Sequence, residues 1–184
     1  MNPPDHSSAT AFDIDALVAT LADQLEPVLR EAHEPCLIGI QRRGDLLARR
    51  LGAILAPRLD TELPIGALDI TLYRDDFDSL TRTPVVGQTD IPFTIDDRTV
   101  ILVDDVLYTG RTIRAALDEI LEFGRARRVL LVALIDRGWR ELPIAPDYVG
   151  AVLETGQDDS VQVLLTEIDG EDTITHVTAG EQDT

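Results

Sequence analysis

The chain contains no lysine; all 16 of its basic residues are arginines. That absence excludes the Walker-type phosphate loop of nucleotide hydrolases, which depends on a lysine. The single cysteine, Cys36, cannot close an internal disulfide, and there is neither a CxxC pair nor a Cys/His cluster at metal-ligand spacing. Cys36 opens the apolar run CLIGI, so it is expected to be a buried structural thiol. No GxGxxG turn is present, which weighs against a dinucleotide enzyme. No apolar run approaches the ~20 residues that span a bilayer, so no membrane partner is expected. The polar start MNPPDHSSAT lacks the basic and apolar regions of a signal peptide, and a cytoplasmic location is the default expectation. Acid, by contrast, is abundant. The 34 Asp and Glu residues leave a formal net charge of −18. Such a charge keeps a protein soluble and repels nucleic acid at long range. Two sources fit it equally: a GC-rich coding sequence, or a salt-rich cytoplasm in which screening tolerates the repulsion.

At 184 residues and 44% hydrophobic composition, the chain suits one domain with a substantial core. Residues 1–10 read as a disordered tail and 11–184 as the folded domain. Apolar residues recur at helical spacing from Ile14 to Leu29, with Asp13 as a plausible N-cap and Pro35 beyond the end. CLIGI (36–40) reads as a buried strand, followed by a turn at Gly44 and a helix from Leu46 to Leu55 stopped by Pro57. Residues 64–72 read as the next strand. The stretch 73–92 mixes charge, Pro and Gly without a period, and a loop that long inside a compact domain is usually functional or mobile. VLLVALI (129–135) is a second buried strand, and 146–153, 161–168 and 173–177 give short strands. Alternating strands and helices followed by short strands indicate an α/β fold: a parallel-sheet core flanked by helices, with a small β-rich cap.

The most informative stretch is VILVDDVLYTGRTI (100–113). Four apolar residues run into two adjacent carboxylates, Asp104 and Asp105. A Tyr-Thr-Gly-Arg-Thr turn then opens a helix expected from Ile113 to Phe123, which Thr112 could cap. The carboxylates are thus expected at the C-terminal edge of a parallel strand, where open α/β sheets bind ligands. The turn falls at a helix N-terminus, where free amides and the macrodipole favour phosphate. Carboxylates for hydroxyls or a metal, beside a phosphate cradle, match a phosphorylated sugar.

VILVDDVLYTGRT resembles the 5-phosphoribosyl 1-pyrophosphate (PRPP) motif of the type I phosphoribosyltransferases. Four further segments narrow the resemblance: IGIQRRGDLLARRL (38–51), LDITLYRDDF (68–77), DIPF (90–93) and LIDRGWRELPIAPDYVG (134–150). In that order they are similar to segments of the bifunctional pyrimidine operon regulator/uracil phosphoribosyltransferase (PyrR) family. The likeness covers roughly residues 36–168. It implies a type I phosphoribosyltransferase fold with a hood formed largely by C-terminal residues, and an enzyme making UMP and pyrophosphate from uracil and PRPP with Mg²⁺.

The resemblance also implies roles for particular residues. Asp104 and Asp105 would engage the ribose hydroxyls, directly or through Mg²⁺. The segment Val106, Leu107, Tyr108, Thr109, Gly110, Arg111 and Thr112 would bind PRPP, its Thr109–Thr112 part cradling the 5-phosphate. Arg42, Arg43 and Gly44 would hold the pyrophosphate, with Arg43 as the clamp on its developing charge. Arg42 stands where the family carries a small polar residue, and Gln41 where lysine is common. Arg137 is expected to contact ligand, Val161 to meet the base through its backbone, and Arg74 or Arg82 to close over PRPP. His6, His33 and His176 read as structural or solvated. A base for the uracil N1 proton is unassigned.

The implied partners are PRPP, uracil, UMP or UTP, and further copies of the chain in a homodimer or larger homo-oligomer. The first helix and Trp139 are candidate interface pieces. Regulatory members of the family bind a pyrimidine-operon leader RNA. Here Ala145 and Ala151 occupy positions where basic residues are common, which together with the acidic balance weighs against tight RNA binding. Two rival readings stand beside the main one: a phosphoribosyltransferase for another base, such as hypoxanthine, guanine or orotate, and a nucleotide-sensing regulator with little turnover.

Overall fold

The computed structural model describes residues 8–10, 12–70 and 88–179. Its elements in chain order are β1 (Ser8–Thr10), α1 (Ile14–Glu31), β2 (Cys36–Ile40), α2 (Arg43–Leu59), β3 (Ile65–Leu68) and β4 (Thr99–Leu107). There follow α3 (Arg111–Phe123), β5 (Arg128–Asp136), β6 (Tyr148–Val152), β7 (Ser160–Leu164), α4 (Thr166–Asp169) and β8 (Thr173–Val177). Five strands form a parallel sheet in the order β3-β2-β4-β5-β6, so the strand carrying the twin acids is central. Parallel strands need covered faces. One face packs α1 and α2 through Leu21, Leu25, Leu47 and Leu51 against Leu37, Ile101 and Val132. The other packs α3 through Ile113, Ala116 and Ile120 against Ile38, Val100 and Leu102. Cys36 is fully buried on that second face, and burial pushes its thiol up to about 11, as expected of a structural cysteine.

β1, β8 and β7 form a separate antiparallel sheet. This hood is seated on the core, since Val163, Leu165 and Ile174 belong to the same buried cluster as α1 and α2. Its first strand corrects the expectation of a tail through residue 10. Ser8–Thr10 pair with Ile174–His176. Three small residues carry no strand signature of their own; the waiting edge of β8 supplies their backbone partners.

Other boundaries shift for identifiable reasons. Asp13 caps α1 as expected, accepting from the Ala16 N–H at 3.2 Å. α2, however, starts at Arg43 rather than Leu46 and passes through Pro57 to Leu59, where Asp60 turns left-handed at φ 51°. One proline in the final turn removes one backbone bond, which the packing of Leu47, Leu51 and Leu55 outweighs. The strand expected at 64–72 is β3, four residues long, and residues 71–72 lie outside the described part. β4 does not end before the acids but runs through them to Leu107. α3 begins at Arg111, and its N-cap is Gly110 at φ 90°, not Thr112. The segment at 146–153 contributes β6 to the edge of the main sheet rather than to the cap. Among the described residues no helix is long and apolar enough to cross a membrane.

Candidate active site

A cleft of about 540 Å³ opens at the C-terminal ends of β2 and β4, walled by the β2–α2 loop, the β4–α3 loop, Arg137 and strand β7 of the hood. At its floor the period-two alternation of β4 slips: Val103 and Val106 both face the α1/α2 side, whereas Leu102 and Leu107 face the α3 side. The slip falls on Asp104 and Asp105. Each carboxylate turns back on the chain, Asp104 accepting from the Asp105 N–H at 3.0 Å and Asp105 from the Val106 N–H at 2.9 Å. Asp104 is only 5% exposed, so its carboxylate is a fixed acceptor at the cleft base.

The β4–α3 loop forms the next wall. Gly110 reaches its left-handed conformation without strain because it lacks a Cβ. The first amides of the 13-residue α3 have no intrahelical partners, the usual condition for holding an anion. The loop is braced from outside: the Thr109 carbonyl accepts from the Glu141 and Leu142 N–H groups, and Arg111 Nε donates to Glu141 at 2.7 Å.

Across the cleft stands the β2–α2 loop, with a cis peptide between Gln41 and Arg42. Gly44 lies behind this wall rather than on it. A Cβ there would strike the Val103 carbonyl oxygen and crowd the Asp104 Cα at 3.2 Å, so only glycine lets the loop lie against the acid-bearing strand. Arg42 is exposed along the cleft. Arg43 also lines it, while gripping Asp169 of the hood through Nε at 3.2 Å and Nη2 at 3.0 Å.

Arg137 is 7% exposed and its guanidinium lies 4.0 Å from the centre of the Tyr108 ring. It donates to Thr155 Oγ1 and to the carbonyls of Gly156 and Gln157, while Tyr108 donates to the same Gln157 carbonyl at 2.9 Å. This stack ties the loop after β6 to the β4–α3 loop. Val161, Gln162 and Val163 complete the lining. β7 is an outer strand of the hood sheet, so one row of its backbone groups has no strand partner among the described residues.

Of the expected site residues that are described, all except Gly44 therefore meet around one cleft. Arg74 and Arg82 lie outside the described residues. Ile40, Gln162 and Val163 join the lining without having been singled out; Asp169, which pairs with Arg43 from behind the lining, was not singled out either. Gln162 and Val163 were legible as neighbours of Val161; Asp169 carried no signal, being 126 positions from the arginine it holds. His33 is exposed, and His176 pairs with Asp159 at 2.8 Å in the hood, holding that carboxyl below its usual range.

A parallel sheet with twin acids on its central strand, an anion-ready helix start beside them and an arginine loop opposite defines a phosphoribosyltransferase. The phosphoribosyl transferase domain family matches residues 8–169. The fold agrees with a hypoxanthine phosphoribosyltransferase from Staphylococcus aureus, at a TM-score of 0.69 and 20% identity over 98% of this chain and 95% of that one. Closer in sequence is the "Bifunctional protein PyrR" of Syntrophobacter fumaroxidans, 48% identical over 89% of this chain and 88% of its own. That of Deinococcus deserti is 44% identical over 95% of each. The chain belongs to the PyrR family, bifunctional pyrimidine operon regulators and uracil phosphoribosyltransferases.

Proposed function

We propose that the cleft transfers the 5-phosphoribosyl group of PRPP to N1 of uracil, releasing pyrophosphate and UMP. What carries the reading is the convergence, in one cleft, of Asp104 and Asp105, the α3 amides, Arg42 and Arg43, and the outer strand of the hood. Asp104 and Asp105 accept from the ribose hydroxyls and so fix the orientation of C1. The amides and hydroxyls of Thr109–Thr112 hold the 5-phosphate at the far end of the sugar. Arg42 and Arg43 sit where the pyrophosphate separates, and cations placed at developing negative charge act most strongly in the transition state. Uracil presents alternating acceptors and a donor along one edge, which matches the unpaired backbone row of β7 at Val161–Val163. Holding both reactants in line substitutes for a covalent nucleophile.

The family typically uses Mg-PRPP. Among the described residues no group of three acidic, His or Cys side chains could cage a metal. A pair of adjacent carboxylates beside a diphosphate is nonetheless the donor set that Mg²⁺ accepts, since it retains waters and shares substrate oxygens. Asp104 and Asp105 would hold it, and its charge would screen the departing pyrophosphate.

The test incubates the protein with radiolabelled uracil, PRPP and Mg²⁺. UMP is expected, with no nucleotide formed from hypoxanthine, guanine or orotate. Nucleotide from one of those bases in place of UMP would assign another transferase, and PRPP binding without turnover would leave a sensor. The regulatory half of the family's activity is read separately, by gel shift with the cognate pyrimidine-operon leader RNA. Arg140, which remains on the relevant stretch, is already committed to Asp136 and to the carbonyls of Tyr108 and Ile144. Binding is therefore expected to be weak and lost with salt; sub-micromolar, uridylate-dependent binding would overturn that expectation.

A further inference from the structure

We propose that Asp169 is a positioning residue that aims Arg43 at the leaving pyrophosphate, making the hood and the pyrophosphate loop one mechanical unit. This deepens the function proposed above and rests on it. The two residues meet in a fork, Arg43 Nε to Asp169 Oδ2 at 3.2 Å and Nη2 to Oδ1 at 3.0 Å. Asp169 is itself held. Its Oδ2 accepts from the Leu165 N–H at 2.8 Å, and its own N–H donates to the Leu165 carbonyl at 2.7 Å. The carboxylate is thus locked to the turn of α4 before it meets the arginine.

A fork of this kind uses one edge of the guanidinium plane. Among the described residues Arg43 Nη1 makes no hydrogen bond, and Arg43 lines the cleft, so the opposite edge remains for an anion. A free arginine must lose rotamer freedom when it grips a ligand; one already fixed along its other edge has little left to lose. The carboxylate keeps its charge at neutral pH, because Arg43 and the Leu165 amide hold it below the usual range. α4 also follows β7 directly, with Leu165 the only residue between them. The strand that meets the base and the carboxylate that orients the clamp therefore move together.

The opposite effect is physically possible: Asp169 could neutralise Arg43 and weaken its hold on pyrophosphate. A double-mutant cycle over Arg43→Ala and Asp169→Ala decides between them. It reads Kd for Mg-PRPP and for pyrophosphate by calorimetry, KM and kcat for transfer, and Tm as a check on folding. Asp169→Ala is expected to weaken both ligands about tenfold, and to change them less than about twofold when Arg43 is already alanine. Asp169→Asn, which retains one acceptor, should fall between, and it serves as the second variant if the alanine chain fails to fold. Unchanged or tighter binding in Asp169→Ala overturns the proposal. So does an equal loss with and without Arg43, which would mark a purely structural hood residue. A wild-type chain that binds PRPP but makes no UMP refutes the transfer reaction alone, because the cycle is still read from binding; one that binds neither ligand refutes both.

Discussion

Gly44 decides how near the arginine loop comes to the twin acids, because any side chain there would meet the Val103 carbonyl. Gly44→Ala is expected to cost about 1–3 kcal/mol by urea unfolding, as over-packing against backbone does, and to weaken PRPP binding as well. A variant as stable as the wild type would show that the loop can lie elsewhere. Asp104→Asn and Asp105→Asn test the acceptors directly. Each should lower kcat/KM by about 100-fold while Tm changes little, since an amide preserves shape but not charge. Asp45, in the first turn of α2, is a different kind of acid: its buried Oδ1 has no hydrogen-bond partner among the described residues, and burial pushes its carboxyl up. A folded state that favours the protonated form loses stability as pH rises through that range. Asp45→Asn should therefore raise Tm at pH 7 and leave it nearly unchanged at pH 3; a lower Tm at pH 7 would contradict this.

α2 joins the core to the hood through two arginines about two turns apart. Arg43 holds Asp169, and Arg50 holds both Glu167 and Asp172. Arg50 keeps the Asp172 carboxyl well below the usual carboxylate range and lowers that of Glu167 too. Depressed carboxyls stabilise the fold above their unfolded values of about 4, and that stabilisation is lost progressively as pH falls from there through the lower folded-state values. The hood should thus be the first part to loosen in acid, seen as early amide exchange in β7 and β8 near pH 3. Arg50→Met should remove about 1–3 kcal/mol of stability at pH 7 and flatten that acid response. These links were invisible in the chain. β2 and β5 announce themselves by buried apolar runs, and the DDVLYTGRT segment by residue types that only a strand edge and a helix start explain. The starts of α2 and α3 were misplaced because both are set by tertiary context: α2 begins inside the loop that Gly44 presses onto β4, and α3 is entered by a left-handed glycine instead of a polar cap. Ion pairs between residues more than 100 positions apart leave no periodic trace.

Across the whole molecule, a net charge of −18 carried by 34 acids and 16 arginines makes self-repulsion a standing term in stability. Added salt screens that repulsion over about 10 Å at 0.1 M and 3 Å at 1 M, while the partly buried arginine forks are screened less. Tm should therefore rise as KCl is raised towards about 1 M; a Tm that falls would place the forks, not the repulsion, in control. The hood has a consequence in time as well as in space. It draws one strand from residues 8–10 and its other two from residues 160–177. During synthesis the strand made first must wait for its partner until residues 173–177 have followed it. The five-stranded sheet, whose last strand ends at Val152, can therefore assemble before β7 and β8 have been made, so the walls of the cleft built on β2 and β4 are in place ahead of the one that the hood supplies.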